Sequence, residues 1–218
     1  MTSPSTIPSG PALSLVNLAA RQRMLSQRMI LQTVLAADGK EGMLAAAQQS
    51  FQTFCDSHKH LLATAGQMEP DQARLVRDTY SGAQGVGPTI ERFMQLMRRT
   101  LDQVAQASPR VQQSVDELVS CTDTVLAALN TATTTFDGIA KTKEDLLMRE
   151  LVTIVTDIQS VAREAKVVSF NAQVLAARAG DQGRGFAVVA NVLAGITQNI
   201  DLQSRKAMEL TVRTRQAA

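Results

Sequence analysis

The chain has 218 residues, enough for one or two domains. Hydrophobic residues make up 44% of it, aromatic residues only 3%, and the formal net charge is +2. Because Lys and Arg are scattered among acidic residues, this weak positive bias gives no indication of nucleic-acid binding. A chain poor in aromatics and rich in Ala, Leu, Met and Gln favours helices over sheets, so we expect an all-α protein.

Cysteine usage and hydropathy bear on the cellular compartment. Cys55 and Cys121 are too far apart in sequence to form a disulfide framework or a zinc pattern. Residues 1–12 form a polar leader without the features of a signal peptide. The nearest candidate for a membrane span, 185–200, contains several amide side chains and is better explained by packing against protein. We therefore expect a cytoplasmic protein with reduced thiols and no direct membrane insertion.

Capping residues, prolines and glycines divide the chain into successive predicted helices. We expect helices over 13–37 and 41–66, and a third helix that starts at Pro70. Glycines interrupt the pattern over 81–88, where the chain either kinks or forms a loop between two helices. Ser108-Pro109 then predicts the start of one long helix that continues to Ala179.

The end of this long helix carries a coiled-coil pattern. Apolar residues recur at three- and four-residue spacing in two runs, Leu151, Ile154, Ile158, Val161, Ala165, Val168, Ala172 and Leu175, and then Phe186, Val189, Leu193, Ile196 and Ile200. Gly180, Gly183 and Gly185 separate the runs, which predicts an antiparallel hairpin. Since neither leg can hide its stripe alone, we expect a second copy to complete a four-helix bundle as a homodimer.

The predicted organisation is thus a flexible leader (1–12), a sensory four-helix bundle (13–138) and an antiparallel coiled-coil hairpin (139–218) whose tip lies near 178–186. One string at this tip is specific: Ala176-Ala177-Arg178-Ala179-Gly180-Asp181-Gln182-Gly183-Arg184-Gly185-Phe186. It resembles the signalling tip of methyl-accepting chemotaxis receptors. That resemblance implies contact with a CheA-type kinase and a CheW-type coupling protein through Phe170, Asn171, Arg178, Gln182, Arg184, Phe186 and Val189.

The tip also departs from the receptor pattern. Leu175 stands where the family usually has a glutamate that helps receptor dimers pack into trimers, and Lys166 to Val168 depart from the usual Asn-(Leu/Ile)-Leu run. The legs are shorter than the family's usual ones, and no convincing methylation pair is found on them. An alternative to kinase control is therefore a non-signalling ligand-binding module, or a partner that caps arrays of full-length receptors.

The first helix carries a second specific string, Arg21-Gln22-Arg23-Met24-Leu25-Ser26-Gln27-Arg28-Met29. At about 100° per residue, Leu18, Gln22, Leu25 and Met29 share a face that should enter the core, and Arg21 and Arg28 lie at its edge. Arg23 falls on another stripe with Val16, Ala19, Ile30 and Val34. An arginine among apolar residues is costly to desolvate unless an anion or acid meets it. A two-fold dimer would bring this stripe against its own copy, so that two Arg23 side chains repel each other and a small bound anion relieves both.

The arginine string resembles the first helix of PilJ-type and nitrate/nitrite-sensing domains. That resemblance implies a small anionic ligand, with nitrate or nitrite the best specific choice, bound by Arg23, Arg21, Arg28, Ser26 and Gln27. The alternative is that the arginines form ion pairs, with Asp116 or Glu117 as possible partners.

No enzyme, cofactor or metal centre is predicted. Cys55, His58 and His60 form a short cluster, but a tetrahedral zinc or haem site needs further ligands that the sequence does not show. No catalytic constellation or phosphate loop accompanies them. The methionines recur at helical spacing and are interpreted as core filling.

Overall fold

A computed structural model describes residues 14–217, with side chains to residue 214; the predicted leader lies outside the described residues. No strand occurs between residues 14 and 217, so the all-α prediction is confirmed. The helices are α1 (Leu15–Ala37), α2 (Met43–Ala65), α3 (Pro70–Ser81), α4 (Gly87–Ala105), α5 (Val111–Ser120), α6 (Thr122–Arg178) and α7 (Arg184–Ala217), with a 3₁₀ turn at Gly180–Gly183. They form two compact units, one ending at Lys141 and one starting at Thr142, and α6 contributes residues to both.

Helix ends in the first unit follow local chemistry. The Ser14 hydroxyl accepts a hydrogen bond from the backbone N–H of Asn17 at 3.2 Å and caps α1. The glycine-rich interruption separates two helices, α3 and α4, which settles the choice between kink and loop. A Cβ at Gly85 or Gly87 would lie 2.5 Å from the Tyr80 carbonyl oxygen, so the chain can turn back against that carbonyl only because glycine stands at both positions.

The predicted long helix is divided at Cys121 into α5 and α6, and it begins at Val111 rather than at Pro109. Three consecutive side chains donate to backbone carbonyls at this division. The Ser120 hydroxyl donates to the carbonyl of Glu117 at 2.8 Å, while the Cys121 thiol and the Thr122 hydroxyl both donate to the carbonyl of Leu118. Side-chain donors that compete for helical carbonyls loosen the backbone ladder locally.

The first unit is a helical bundle in which α1 contacts α4 as well as α2 and α5. Contacts run from α1 to α2, from α2 to α4, from α4 to α5 and from α5 back to α1, and α3 joins α2 to α4. The core buries large side chains from each helix and from the start of α6, including Met29, Phe54, Leu61, Ile90, Phe93, Met97, Leu118, Leu129 and Phe136.

The core face predicted for α1 is the one that the structure buries. Leu18, Gln22, Leu25 and Met29 are all buried. Gln22 is only 1% exposed, and its side-chain amide donates to the carbonyl of Phe54 on α2 at 3.3 Å, which satisfies a polar group that would be costly to bury unpaired. The apolar pattern therefore predicted the orientation of α1 correctly.

The second unit is an antiparallel pair formed by α6 and α7. Gly180 has φ +58 and starts the turn, in the left-handed region that glycine adopts readily. A Cβ at Gly183 would lie 2.0 Å from the Ala176 carbonyl oxygen, so the two legs meet there with no room for a side chain. The Ser169 hydroxyl donates to the Ala190 carbonyl at 3.3 Å, seven residues further along each leg.

Small residues at strict seven-residue spacing form the buried line between these legs. On α6 they are Val155, Ala162, Ser169 and Ala176; on α7 they are Ala190, Thr197, Ser204 and Thr211, which continue the spacing from Gly183. The two contacts at Ala176 and Ser169 fix one register, and in that register Ala162 faces Thr197 and Val155 faces Ser204. Small residues let the two backbones approach closely.

The apolar seam predicted from sequence is a different line, and the single chain leaves most of it exposed. Val161, Val168 and Leu175 are 65%, 60% and 64% exposed on α6, and Phe186 and Val189 are 75% and 66% exposed on α7. The predicted seam therefore does not join the two legs within one chain. Its positions run along one stripe of the hairpin, which is unpartnered in the single chain.

The stretch Gly180–Thr214 is long and apolar enough to cross a membrane by length and composition alone, and little of it is buried. Charged residues such as Arg205 and Asp201, which pair at 2.8 Å, lie within this stretch.

Candidate functional site

The outer face of α1 carries most of the predicted anion-binding residues. Arg21, Arg23, Gln27 and Arg28 are exposed. Ser26 does not lie with them, because it is buried and its hydroxyl donates to the Arg23 carbonyl at 2.8 Å. The side chains brought to one surface are thus the three arginines and Gln27.

The stripe expected around Arg23 is turned inward. Ala19 and Ile30 are 2% and 7% exposed, and Val16 and Val34 pack partly buried against the same core. Arg23 stands at the solvent border of this stripe. A two-fold contact through that stripe is therefore not available to the folded chain.

A different apolar pair lies exposed beside the arginines. Met24 and Leu31, seven residues apart on α1, are 56% and 59% exposed. At about 100° per residue, Arg23 lies on one side of this pair and Arg28 lies on the other. The exposed face of α1 is therefore apolar in the middle and cationic on both borders.

None of these arginines has a carboxylate partner among the described residues, whose ion pairs lie elsewhere. Glu117, a partner considered from sequence, pairs with Arg99 instead. Guanidinium groups without acids attract oxyanions, whose oxygens match their planar donors in pairs. The electrostatics of the surface therefore suit a small anion.

The hairpin tip displays the second predicted set. Phe170, Asn171, Arg178, Gln182, Arg184, Phe186 and Val189 are all exposed. The side chains of Phe170 and Phe186 are 63% and 75% exposed, which is unusual because phenylalanine normally buries its ring. Contiguous exposed apolar surface of this kind marks a site of protein contact.

Polar contacts form across the tip without covering these rings. The Arg184 guanidinium lies 3.4 Å from the Asp181 carboxylate across the turn. The Gln173 amide donates to the Asn191 side-chain oxygen at 3.0 Å and links the two legs. The tip therefore presents its apolar groups on a defined backbone.

A groove between α2 and α4 is a feature that the sequence did not predict. It measures about 600 Å³ and is lined mainly by polar and sulfur-containing side chains. The Cys55 thiol lies 3.9 Å from the Met94 thioether, and His58 forms part of the wall. Burial raises the pKa of the Cys55 thiol and lowers the pKa of the His58 imidazole. No sequence signal joins α2 to α4, because Met94 is 39 residues from Cys55.

Two family descriptions match the chain. Residues 12–119 match the Type IV pili methyl-accepting chemotaxis transducer N-terminal family, PilJ, and residues 128–213 match the methyl-accepting chemotaxis protein signalling domain. These matches support a PilJ-type segment fused to a chemoreceptor signalling segment. No solved structure is significantly similar to the chain.

Curated relatives point the same way. The chain is 42% identical over 65 residues to the methyl-accepting chemotaxis protein CtpL of Pseudomonas aeruginosa, covering 30% of the chain and 10% of that protein. It is 34% identical over 76 residues to methyl-accepting chemotaxis protein I of Escherichia coli, covering 34% of the chain and 14% of that protein. With TlpQ of Pseudomonas aeruginosa it shares 31% identity over 148 residues, 57% of the chain and 21% of that protein. The chain thus spans only a small part of the length of each relative.

Proposed function

From a PilJ-type segment followed by a chemoreceptor signalling segment, we propose that the chain is a homodimeric signal transducer that senses a small anion, nitrate or nitrite by preference, and regulates a CheA-type kinase through a CheW-type coupling protein. The observation that carries this proposal is the hairpin tip, which holds exposed phenylalanines on a turn fixed by Gly180 and Gly183. We place the hairpin in the cytoplasm, where signalling domains of this family lie.

The dimer rests on the unpartnered stripe of the hairpin. Two hairpins that meet along Ile158, Val161, Val168 and Phe186 bury large apolar side chains that one hairpin leaves in water. Each Å² of apolar surface removed from water contributes roughly 25 cal/mol, so a stripe of this length favours association. Apolar side chains that recur at three- and four-residue spacing can interlock with those of a second helix, as coiled coils require.

Two neighbouring valines provide a matched test of the dimer. Val167 and Val168 are both 60% exposed, but only Val168 falls on the stripe. We expect Val168→Glu to shift the full chain from dimer to monomer in light scattering at micromolar concentration, because two desolvated carboxylates would face each other. Val167→Glu should leave the dimer intact. Equal behaviour of the two variants would contradict this interface.

The sensory input is assigned to the outer face of α1. A two-fold contact centred on Met24 and Leu31 covers their exposed surface and brings Arg23 and Arg28 of both copies close together. Like charges repel, so this contact is favourable only when an anion sits among the arginines. The anion therefore binds the dimer that packs through Met24 and Leu31 better than a dimer without this contact. Such a difference in affinity is the requirement for any ligand-driven switch.

Calorimetry with nitrate and nitrite tests this input on the full chain. We expect Arg23→Ala to weaken binding by roughly 10- to 100-fold, because a hydrogen bond to a charged group contributes about 1.5–3 kcal/mol. Arg77→Ala is the control, since Arg77 is exposed on α3 away from this face. If neither anion binds, or if Arg23→Ala binds as well as the wild type, the anion assignment fails while the hairpin assignment stands.

The output is tested separately with purified kinase and coupling protein. We expect Phe186→Ala to abolish co-purification of the coupling protein, whereas Val212→Ala, 51% exposed on the same helix, should preserve it. Leu175 is 64% exposed where receptors usually carry a glutamate, which favours the alternative of a module that does not build receptor arrays. Failure of the wild type to bind either protein would support that alternative.

A further inference from the structure

The groove between α2 and α4 brings together three soft or borderline metal-binding groups from two helices. Cys55 and His58 are three residues apart on α2, and Met94 faces them from α4. All three side chains line the same groove. The geometry points to a binding site for a single copper(I) ion, held by the Cys55 thiolate, the Met94 thioether and the His58 imidazole.

The sulfur separation fits this ion. Two metal–sulfur bonds of about 2.3 Å that open at about 120° place their sulfurs roughly 4 Å apart. The Sγ atom of Cys55 and the Sδ atom of Met94 are 3.9 Å apart. An ion can therefore bridge α2 and α4 without moving either helix.

His58 supplies an independent sign of a ligand. The residue is 5% exposed, and its Nδ1 atom is buried with no hydrogen-bond partner. Buried polar nitrogens are nearly always satisfied, so an orphaned one needs an explanation. The Tyr80 hydroxyl, on the ring that packs against His58, is also buried without a partner, so the metal competes with Tyr80 for this nitrogen. Either ring nitrogen of a neutral imidazole can bind a metal.

The ligand types select among metals. Thiolate and thioether sulfurs together favour copper(I), whereas calcium and magnesium need oxygen ligands and zinc rarely accepts a thioether. No group of three or more His, Cys, Asp or Glu side chains suited to a metal exists within the described part of the chain, which counts against the harder ions. Met94 supplies the third ligand, without which Cys55 and His58 would form only a pair.

Binding is a proton exchange without redox change. The S–H bond of Cys55 breaks, its proton passes to solvent, and a copper–sulfur bond forms while copper stays in the +1 state. Burial raises the pKa of the Cys55 thiol, and the charges of Arg98 and Lys59 act in the opposite direction by favouring the thiolate. Because copper(I) replaces one proton, the net charge of the groove does not change on binding.

The test uses the full reduced chain without oxygen, titrated with copper(I) against a colorimetric copper(I) chelator. We expect one ion per chain and an ultraviolet band from thiolate-to-copper charge transfer. Met94→Leu conserves volume and should weaken binding by at least about tenfold, since loss of even an outer-shell partner has an effect of 10–100-fold. Cys55→Ser should abolish the band.

Matched controls decide whether the site is the one assigned. Met97→Leu makes the same change on the same helix outside the groove, and Cys121→Ser removes the other thiol; both should bind copper(I) as the wild type does. X-ray absorption should show two sulfurs and one nitrogen, and His58→Gln should lose the nitrogen. The site is overturned if Met94→Leu keeps full affinity, if Cys121→Ser removes the ion, or if zinc(II) binds as tightly as copper(I).

Discussion

The bundle and the hairpin bury different kinds of side chain. Phe54, Phe93 and Phe136 in the bundle are at most 2% exposed, whereas Phe170 and Phe186 in the hairpin are 63% and 75% exposed. The hairpin instead buries Ala, Ser, Thr and Gly along its close-packed line. The bundle therefore has a core of its own, while much of the apolar surface of the hairpin gives stability only when another molecule covers it.

A pair of phenylalanine truncations gives the largest expected contrast. Phe136→Ala should lower the free energy of unfolding of the bundle by about 3–5 kcal/mol, because it leaves a cavity in a closed core. Phe186→Ala should change it by less than about 0.5 kcal/mol, since the ring is exposed. Urea unfolding of the full chain, with hydrogen exchange to assign each transition to a unit, measures both. Equal destabilisation by the two changes would remove the distinction between the units.

Two glycines two residues apart sharpen the comparison inside the hairpin. Gly183→Ala places a Cβ 2.0 Å from the Ala176 carbonyl oxygen and should cost about 1–3 kcal/mol by forcing the legs apart. In Gly185→Ala the new Cβ meets no atom within 4 Å, so the change should stabilise α7 by up to about 1 kcal/mol. Hydrogen exchange at residues 169–190 is the measurement. Unchanged protection in Gly183→Ala would show that the close approach does not hold the tip.

Local signals predicted the course of the chain where one residue type dictates the backbone. Gly39 ends the first helix with φ +79, and Pro70 begins the third as expected. The division at Cys121 was missed because Ser, Cys and Thr are tolerated within helices. Their competition for the carbonyls of Glu117 and Leu118 depends on side-chain rotamers, which a sequence pattern does not contain.

Periodicity predicted which positions share a face but not what covers each face. The stripe of Val161 and Val168 was correctly grouped, yet the legs pack through Ala162 and Ser169 instead. Arg23 was grouped with Ala19 and Ile30, which the chain's own core covers. The sequence does not indicate that Met94 lies beside Cys55, because their proximity arises only from the packing of α2 on α4.

The smallest expected effect is a pH dependence confined to the bundle. Burial lowers the pKa of His58 below its usual 6.5, with Glu91 acting in the opposite direction. The folded bundle thus holds this proton more weakly than the unfolded chain, so acidification favours unfolding. Stability should be unaffected above about pH 6.5 and should fall below it, by at most about 1.4 kcal/mol per pH unit for one proton. Denaturant midpoints of the metal-free chain between pH 7.5 and 5.5 measure the slope. His58→Gln should flatten it, whereas the control His60→Gln, exposed on the same helix, should leave it unchanged.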